Sequence, residues 1–226
     1  MAAMSETLTG LTGEAQAAAA ARSDAYRLFA LAMAYPDDEL CDFIRGGEVR
    51  DPLCTCLAGI ADELKPDDGR TLALTDAATG DDLAVEYTRL FDAGASGPPC
   101  PLYGGLYGGA RMKTMEEAVR FYNHFGLTLS GEPRELPDHL STQLEFLHYL
   151  AFREAEALQT GVDAGAYQRA QRDFIARHPG SWIPKLCQRL AGENAPAYYG
   201  ALLGSLADLL AWDAARLAVI APVTAN

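Results

Sequence analysis

Apolar residues recur at three- and four-residue steps along most of this chain, the spacing that lines one face of an α-helix. Leu53, Leu57, Ile60 and Leu64 follow it, and so do Tyr198, Tyr199, Leu202, Leu203, Leu206, Leu209 and Leu210. No segment alternates with period two between hairpin turns. The pattern therefore predicts an all-α fold of about nine to eleven helices. Turn signals punctuate it at Tyr35-Pro36-Asp37-Asp38, at Gly46-Gly47, at Lys65-Pro66-Asp67-Asp68-Gly69 and at Pro179-Gly180. An alanine-rich helix is expected over 14–34, with Tyr26, Leu28, Phe29 and Met33 as its apolar face. Thr114-Met115-Glu116-Glu117 reads as a capping box, and Asn194 as a cap for the last long helix. One compact domain over 14–220 is expected, with a flexible start at 1–13 and a frayed tail at 221–226.

One predicted helix has two unlike faces. It begins at Pro137-Asp138-His139, where Pro137 stops the preceding segment and Asp138 suits a cap or first turn. At about 100° per residue, Leu140, Leu144, Leu147 and Ala151 share a side that reads as core. Asp138, Thr142, Glu145, Tyr149 and Phe152 share the other, which mixes acids with aromatics and carries no lysine. That stripe is either a site or a wet edge.

Composition narrows the function classes. Apolar residues make up 49% of the 226, enough for a core, and the formal charge is −13. Such a surface repels nucleic acid and anionic lipid and attracts a basic partner, although solubility alone explains it equally well. No apolar run is long enough to span a bilayer, and the first residues do not resemble a secretory signal, so a cytoplasmic protein without stable membrane insertion is expected. Five cysteines at irregular spacing do not form a disulfide framework.

Candidate chemistry is sparse. Cys54 and Cys56 are one residue apart, and no second pair stands at a metal-binding distance. His139 and His148 point to opposite sides of one helix. Ser141, His139 and Asp138 are too close along the chain to converge as nucleophile, base and orienter. No catalytic residue, metal ligand or cofactor is therefore expected. The glycine-rich loop 104–109, with Arg111 and Lys113 beyond it, offers a nucleotide-binding alternative. It lacks the ending of a P-loop and no strand precedes it. A plain helical scaffold is the third reading.

Several pieces occur together in order: Glu86-Tyr87-Thr88-Arg89-Leu90-Phe91, Cys100-Pro101-Leu102-Tyr103-Gly104-Gly105-Leu106-Tyr107, Pro137-Asp138-His139-Leu140, Leu144-Glu145-Phe146-Leu147, and Phe174 to His178 with Trp182-Ile183-Pro184. This set resembles the TorD/DmsD/NarJ family of redox-enzyme maturation chaperones, over roughly residues 26–210. The look is nearest to the branch serving type II enzymes of the DMSO reductase family. The resemblance implies a cytosolic chaperone and not an enzyme. Its partners would be the apo form of a molybdoenzyme catalytic subunit and that subunit's N-terminal twin-arginine leader peptide. It would assist molybdenum cofactor insertion and delay export until folding is done, as a monomer or a domain-swapped dimer. By position, Tyr87, Leu90, Phe91, Pro101, Tyr103, Tyr107, Asp138, His139 and Glu145 match the family's peptide-binding region. Pro101-Leu102-Tyr103 followed by two glycines departs from the usual Pro-Pro-aromatic and polar pair.

Overall fold

Two long helices form the spine. In the computed structural model, which describes residues 2–76, 80–95, 97–108, 110–128 and 135–222, α1 (Ala2–Ala32) lies antiparallel against α7 (Leu140–Thr160). Arg22 meets Glu154 and Ser23 meets His148, so the end of α1 lies beside the start of α7. Between them in sequence come α2 (Asp38–Gly46), α3 (Arg50–Ile60), α4 (Asp68–Ala73), α5 (Gly80–Tyr87) and α6 (Arg111–His124). After them come α8 (Gly165–Arg177), α9 (Pro179–Ala191) and α10 (Ala197–Ile220). Ten α-helices and no named strand occur among the described residues, as the apolar spacing predicts. α3 packs on α1, and α10 lies across α8 and α9.

Local signals set many ends. The Asp37 side chain accepts from the Leu40 N–H at 2.9 Å and the Asp67 side chain from the Arg70 N–H at 2.8 Å, starting α2 and α4. Gly47 and Gly161 end α2 and α7 in the left-handed region, with φ of 82° and 70°. Leu140, Leu144, Leu147 and Ala151 are fully buried, as the wheel predicts.

Three local expectations are corrected. Helical backbone begins at Ala2 rather than at residue 14, continuous with the alanine-rich stretch that follows, even though Gly10 and Gly13 each cost about 1 kcal/mol against alanine and Thr7, Thr9 and Thr12 are weak helix formers. The capping box at Thr114 does not form, because α6 starts at Arg111 and the Thr114 hydroxyl turns back toward the Ala110 carbonyl. Asn194 does not cap α10. Pro196 leads into it, and the Asn194 carbonyl accepts instead from Arg89 at 3.2 Å.

A buried charged network ties the spine to α10. Arg22 donates to Glu154 at 2.6 Å and lies 3.4 Å from Asp213. Arg216 contacts Glu154 at 3.2 Å and Asp213 at 2.8 Å. Tyr26 donates to Asp213 at 2.9 Å, and Gln168 and Gln171 donate to Glu154 at 3.1 and 2.8 Å. Burial pushes the Glu154 carboxyl up, but the two guanidinium charges and the glutamine bonds outweigh it and hold the carboxyl below its ordinary value.

Candidate functional site

A cavity of about 490 Å³ opens where the end of α1 meets the start of α7. α1 and the residues just after it supply one wall: Arg27, Leu31, Ala34 and Tyr35. Opposite stand Ser141, Glu145 and His148 of α7. Tyr87, Phe91, Asp92, Tyr103, Glu135 and His139 line it as well.

The last turn of α5 is wound as a π-turn over Thr88–Asp92, closed by the Ala93 N–H on the Thr88 carbonyl at 2.8 Å. The extra residue turns Leu90 fully into the core while Tyr87, Phe91 and Asp92 reach the cavity. Tyr87 meets Phe91 and Tyr35 edge-on, with ring centroids 5.2 and 5.6 Å apart, and donates to the Met33 carbonyl at 3.3 Å. Tyr103 donates to Glu135 at 3.2 Å, and its ring meets His139 at 4.9 Å. Burial, then the charges of Glu135 and Asp92, push the Tyr87 phenol up to about 12. Burial and then Glu135 also raise Tyr103. The two carboxylates therefore act on the same pair of hydroxyls.

Five of the nine expected residues thus line one cavity: Tyr87, Phe91, Tyr103, His139 and Glu145. The other four, Leu90, Pro101, Tyr107 and Asp138, are buried outside its lining. Leu90 is core. Asp138 precedes α7 and is fully buried; its Oδ2 accepts from the Gly105 N–H at 3.0 Å and its carbonyl from the Gly104 N–H at 2.9 Å. It fastens the loop that carries Tyr103. Tyr107 stacks on Trp182 at 5.2 Å and donates to the Pro101 carbonyl at 2.8 Å, so Pro101 and Tyr107 brace the loop from beneath. Tyr149 and Phe152 do not line the cavity either; Tyr149 packs toward Phe125 on the α6 side, and Phe152 is exposed.

The same loop disposes of the nucleotide alternative. Its Gly104 and Gly105 amides are already taken by Asp138. A Cβ on Gly104 would come within 2.7 Å of the Trp182 indole, and one on Gly105 within 2.8 Å of Asp138, so these glycines serve close packing. Gly109 lies outside the described residues.

The sequence pattern did not point to the α1 wall, nor to Asp92 and Glu135. Leu31 and Tyr35 are 54% and 56% exposed and lie off the face carrying Tyr26, Phe29 and Met33. An apolar pair off the core stripe was the available signal. Among the described residues, Asp92 and Glu145 have no ion-pair partner, and Glu135 has only the Tyr103 hydroxyl. The cavity is thus an aromatic and aliphatic trough whose rim carries three carboxylates without an ion pair against one arginine, Arg27, suited to an apolar chain that carries positive charge.

No group of three or more His, Cys, Asp and Glu side chains is placed to hold a metal among the described residues, and no helix there is long and apolar enough to cross a membrane. A family model described as nitrate reductase delta subunit matches residues 48–188. The chain is 42% identical over 139 residues to the chlorate reductase assembly chaperone protein of Ideonella dechloratans, covering 60% of this chain and 72% of that one. It is 31% identical over 189 residues to the perchlorate reductase assembly chaperone protein of Dechloromonas aromatica, covering 81% and 84%. A crystal structure of a candidate redox enzyme maturation protein from Archaeoglobus fulgidus shares the fold, with a TM-score of 0.51 and 22% identity over 84% of this chain and 93% of that one. The kinship is to chaperones and not to enzymes, and the chain belongs to the nitrate reductase delta subunit family of assembly chaperones.

Proposed function

We propose that the cavity between α1 and α7 holds the N-terminal twin-arginine leader of a molybdoenzyme catalytic subunit. The client belongs to the type II branch that includes chlorate and perchlorate reductases. In this reading the protein works in the cytoplasm, keeps the apo-enzyme ready for molybdenum cofactor insertion and delays its export until it has folded. The observation that carries the reading is the trough itself: Leu31, Tyr35, Tyr87 and Phe91 give an apolar wall, and Asp92, Glu135 and Glu145 outnumber the single arginine of the lining, Arg27, whose ion pair is with Asp24. The net charge of −13 adds long-range attraction for a basic segment. The working unit is a monomer or a helix-exchanged dimer, and light scattering distinguishes the two.

Calorimetry with leader peptides from molybdoenzymes encoded beside this gene tests the reading. Binding should weaken with salt and fall about tenfold in Leu31→Asp, which places a charge in the wall. A leader that binds equally well to Leu31→Asp, or no binding to any such leader, would overturn it.

A further inference from the structure

His139 has two ring nitrogens with different surroundings. Its side chain is 8% exposed and lines the cavity. Nδ1 accepts from the Ser141 backbone N–H at 3.3 Å and lies 2.7 Å from the Ser141 hydroxyl. A backbone N–H can only donate, so Nδ1 must offer its lone pair, and the proton of the neutral ring sits on Nε2. Burial pushes the ring's pKa down, while Glu135 and Asp138 pull it up; the net direction is downward, which keeps the ring neutral near pH 7. Nε2 lies on the ring side away from the first turn of α7, and among the described residues it has no acceptor. Nε2 keeps contact with solvent, so its N–H is open to an acceptor that enters the cavity.

We propose that His139 reads the main chain of the bound segment, its Nε2–H donating to a peptide carbonyl while its Nδ1 caps α7. The proposal rests on the cavity being the leader site and adds the conformation of the segment that binds there. Carbonyls inside a helix already accept from the residue four ahead. A free one belongs to an extended stretch or to a helix's last turn. This end of the cavity is itself extended: Tyr103 and His139 pair as an isolated antiparallel bridge, and the Leu140 N–H donates to the Leu102 carbonyl at 2.8 Å. The leader therefore enters extended at His139, its side chains toward the apolar wall and one carbonyl on the imidazole.

Two substitutions separate the nitrogens. His139→Asn keeps an acceptor near Nδ1, and asparagine is a good helix cap, but it removes the donor at Nε2. His139→Gln keeps a donor near Nε2 and loses the cap. Leader affinity should fall about fivefold in His139→Asn, the size of one lost hydrogen bond, with Tm unchanged. In His139→Gln affinity should hold within about twofold while Tm drops. Nitrogen NMR of the free protein should show the Nε2–H tautomer, and the Nε2 proton should move downfield when leader is added. Wild-type affinity in His139→Asn, affinity losses in both variants that merely track stability, or a ring protonated on Nδ1 would overturn the role of His139 while leaving leader binding in place. Failure of the wild-type protein to bind any leader would instead remove the cavity reading, and this proposal with it.

Discussion

α1 and α7 meet twice, and the two meetings have opposite character. Around Arg22 and Glu154 every charge is answered: two arginines, two acids, two glutamines and Tyr26 close a network with almost no solvent contact. Along the same pair, around Leu31 and His139, apolar side chains stay exposed and carboxylates stay unpaired. The first meeting sets the register of the helices. With the register set elsewhere, the second can be left unsatisfied. On the proposed leader site, stability and recognition are separable, and substitutions should sort by which meeting they touch.

The largest effect is expected from Glu154→Ala. It leaves Arg22 and Arg216 to share the one remaining carboxylate, Asp213, in a nearly dry site, and urea denaturation should show a loss of about 3–5 kcal/mol. A loss below about 1 kcal/mol would mean the network is not what aligns the helices.

His178, at the junction of α8 and α9, gives the next effect. Its ring is 1% exposed against Phe174 and Phe121, and neither nitrogen has a partner. Burial, more than the nearby Arg177 charge, lowers its pKa to about 4. The unfolded ring, at an ordinary value near 6.5, takes up a proton that the folded ring refuses. Its contribution is thus complete above pH 6.5 and is lost as pH falls toward 4, on the order of 3 kcal/mol. His178→Phe should flatten that part of the stability–pH curve; an unchanged slope would assign the acid sensitivity to other groups.

Asp138→Ala should cost about 1–3 kcal/mol by freeing the Gly105 amide, and leader affinity should fall with it because Tyr103 is no longer held. Asp138→Asn, which retains an acceptor, should recover most of both. Affinity that survives in the alanine variant would show that the loop needs no such fastening. The smallest effect belongs to the open half. Glu145→Gln should leave stability within about 0.5 kcal/mol and weaken leader binding about two- to threefold at low salt, with the difference vanishing at high salt. A salt-independent loss would point to a contact other than charge.

Legibility in the chain divides by range in the same way. The α7 core stripe, the aspartate caps of α2 and α4 and the glycine ends depend on neighbours within a turn, and these residues do what their spacing predicts. Asp138 was legible as polar and near a helix start, but its partners are amides some thirty residues back, and nothing local reports them. The Thr114 capping box failed because a threonine three positions inside a helix has a competing acceptor behind it. Glu145 stood out on the helix wheel, and the resemblance, which carries tertiary information, joined it to Tyr87, Phe91, Tyr103 and His139. The α1 wall did not, since Leu31 and Tyr35 acquire meaning only once α7 lies beside them.

The π-turn at Thr88–Asp92 makes the cavity adjustable by length. Deleting one residue there would restore α winding and swing the downstream residues by about 100°, sending Asp92 away from the rim and changing which aromatic faces the trough. The turn is thus a dial in the backbone, one that would retune the lining without substituting any residue of it. Comparing leader preferences of the full-length protein and a Thr88-deleted variant would show whether the dial turns.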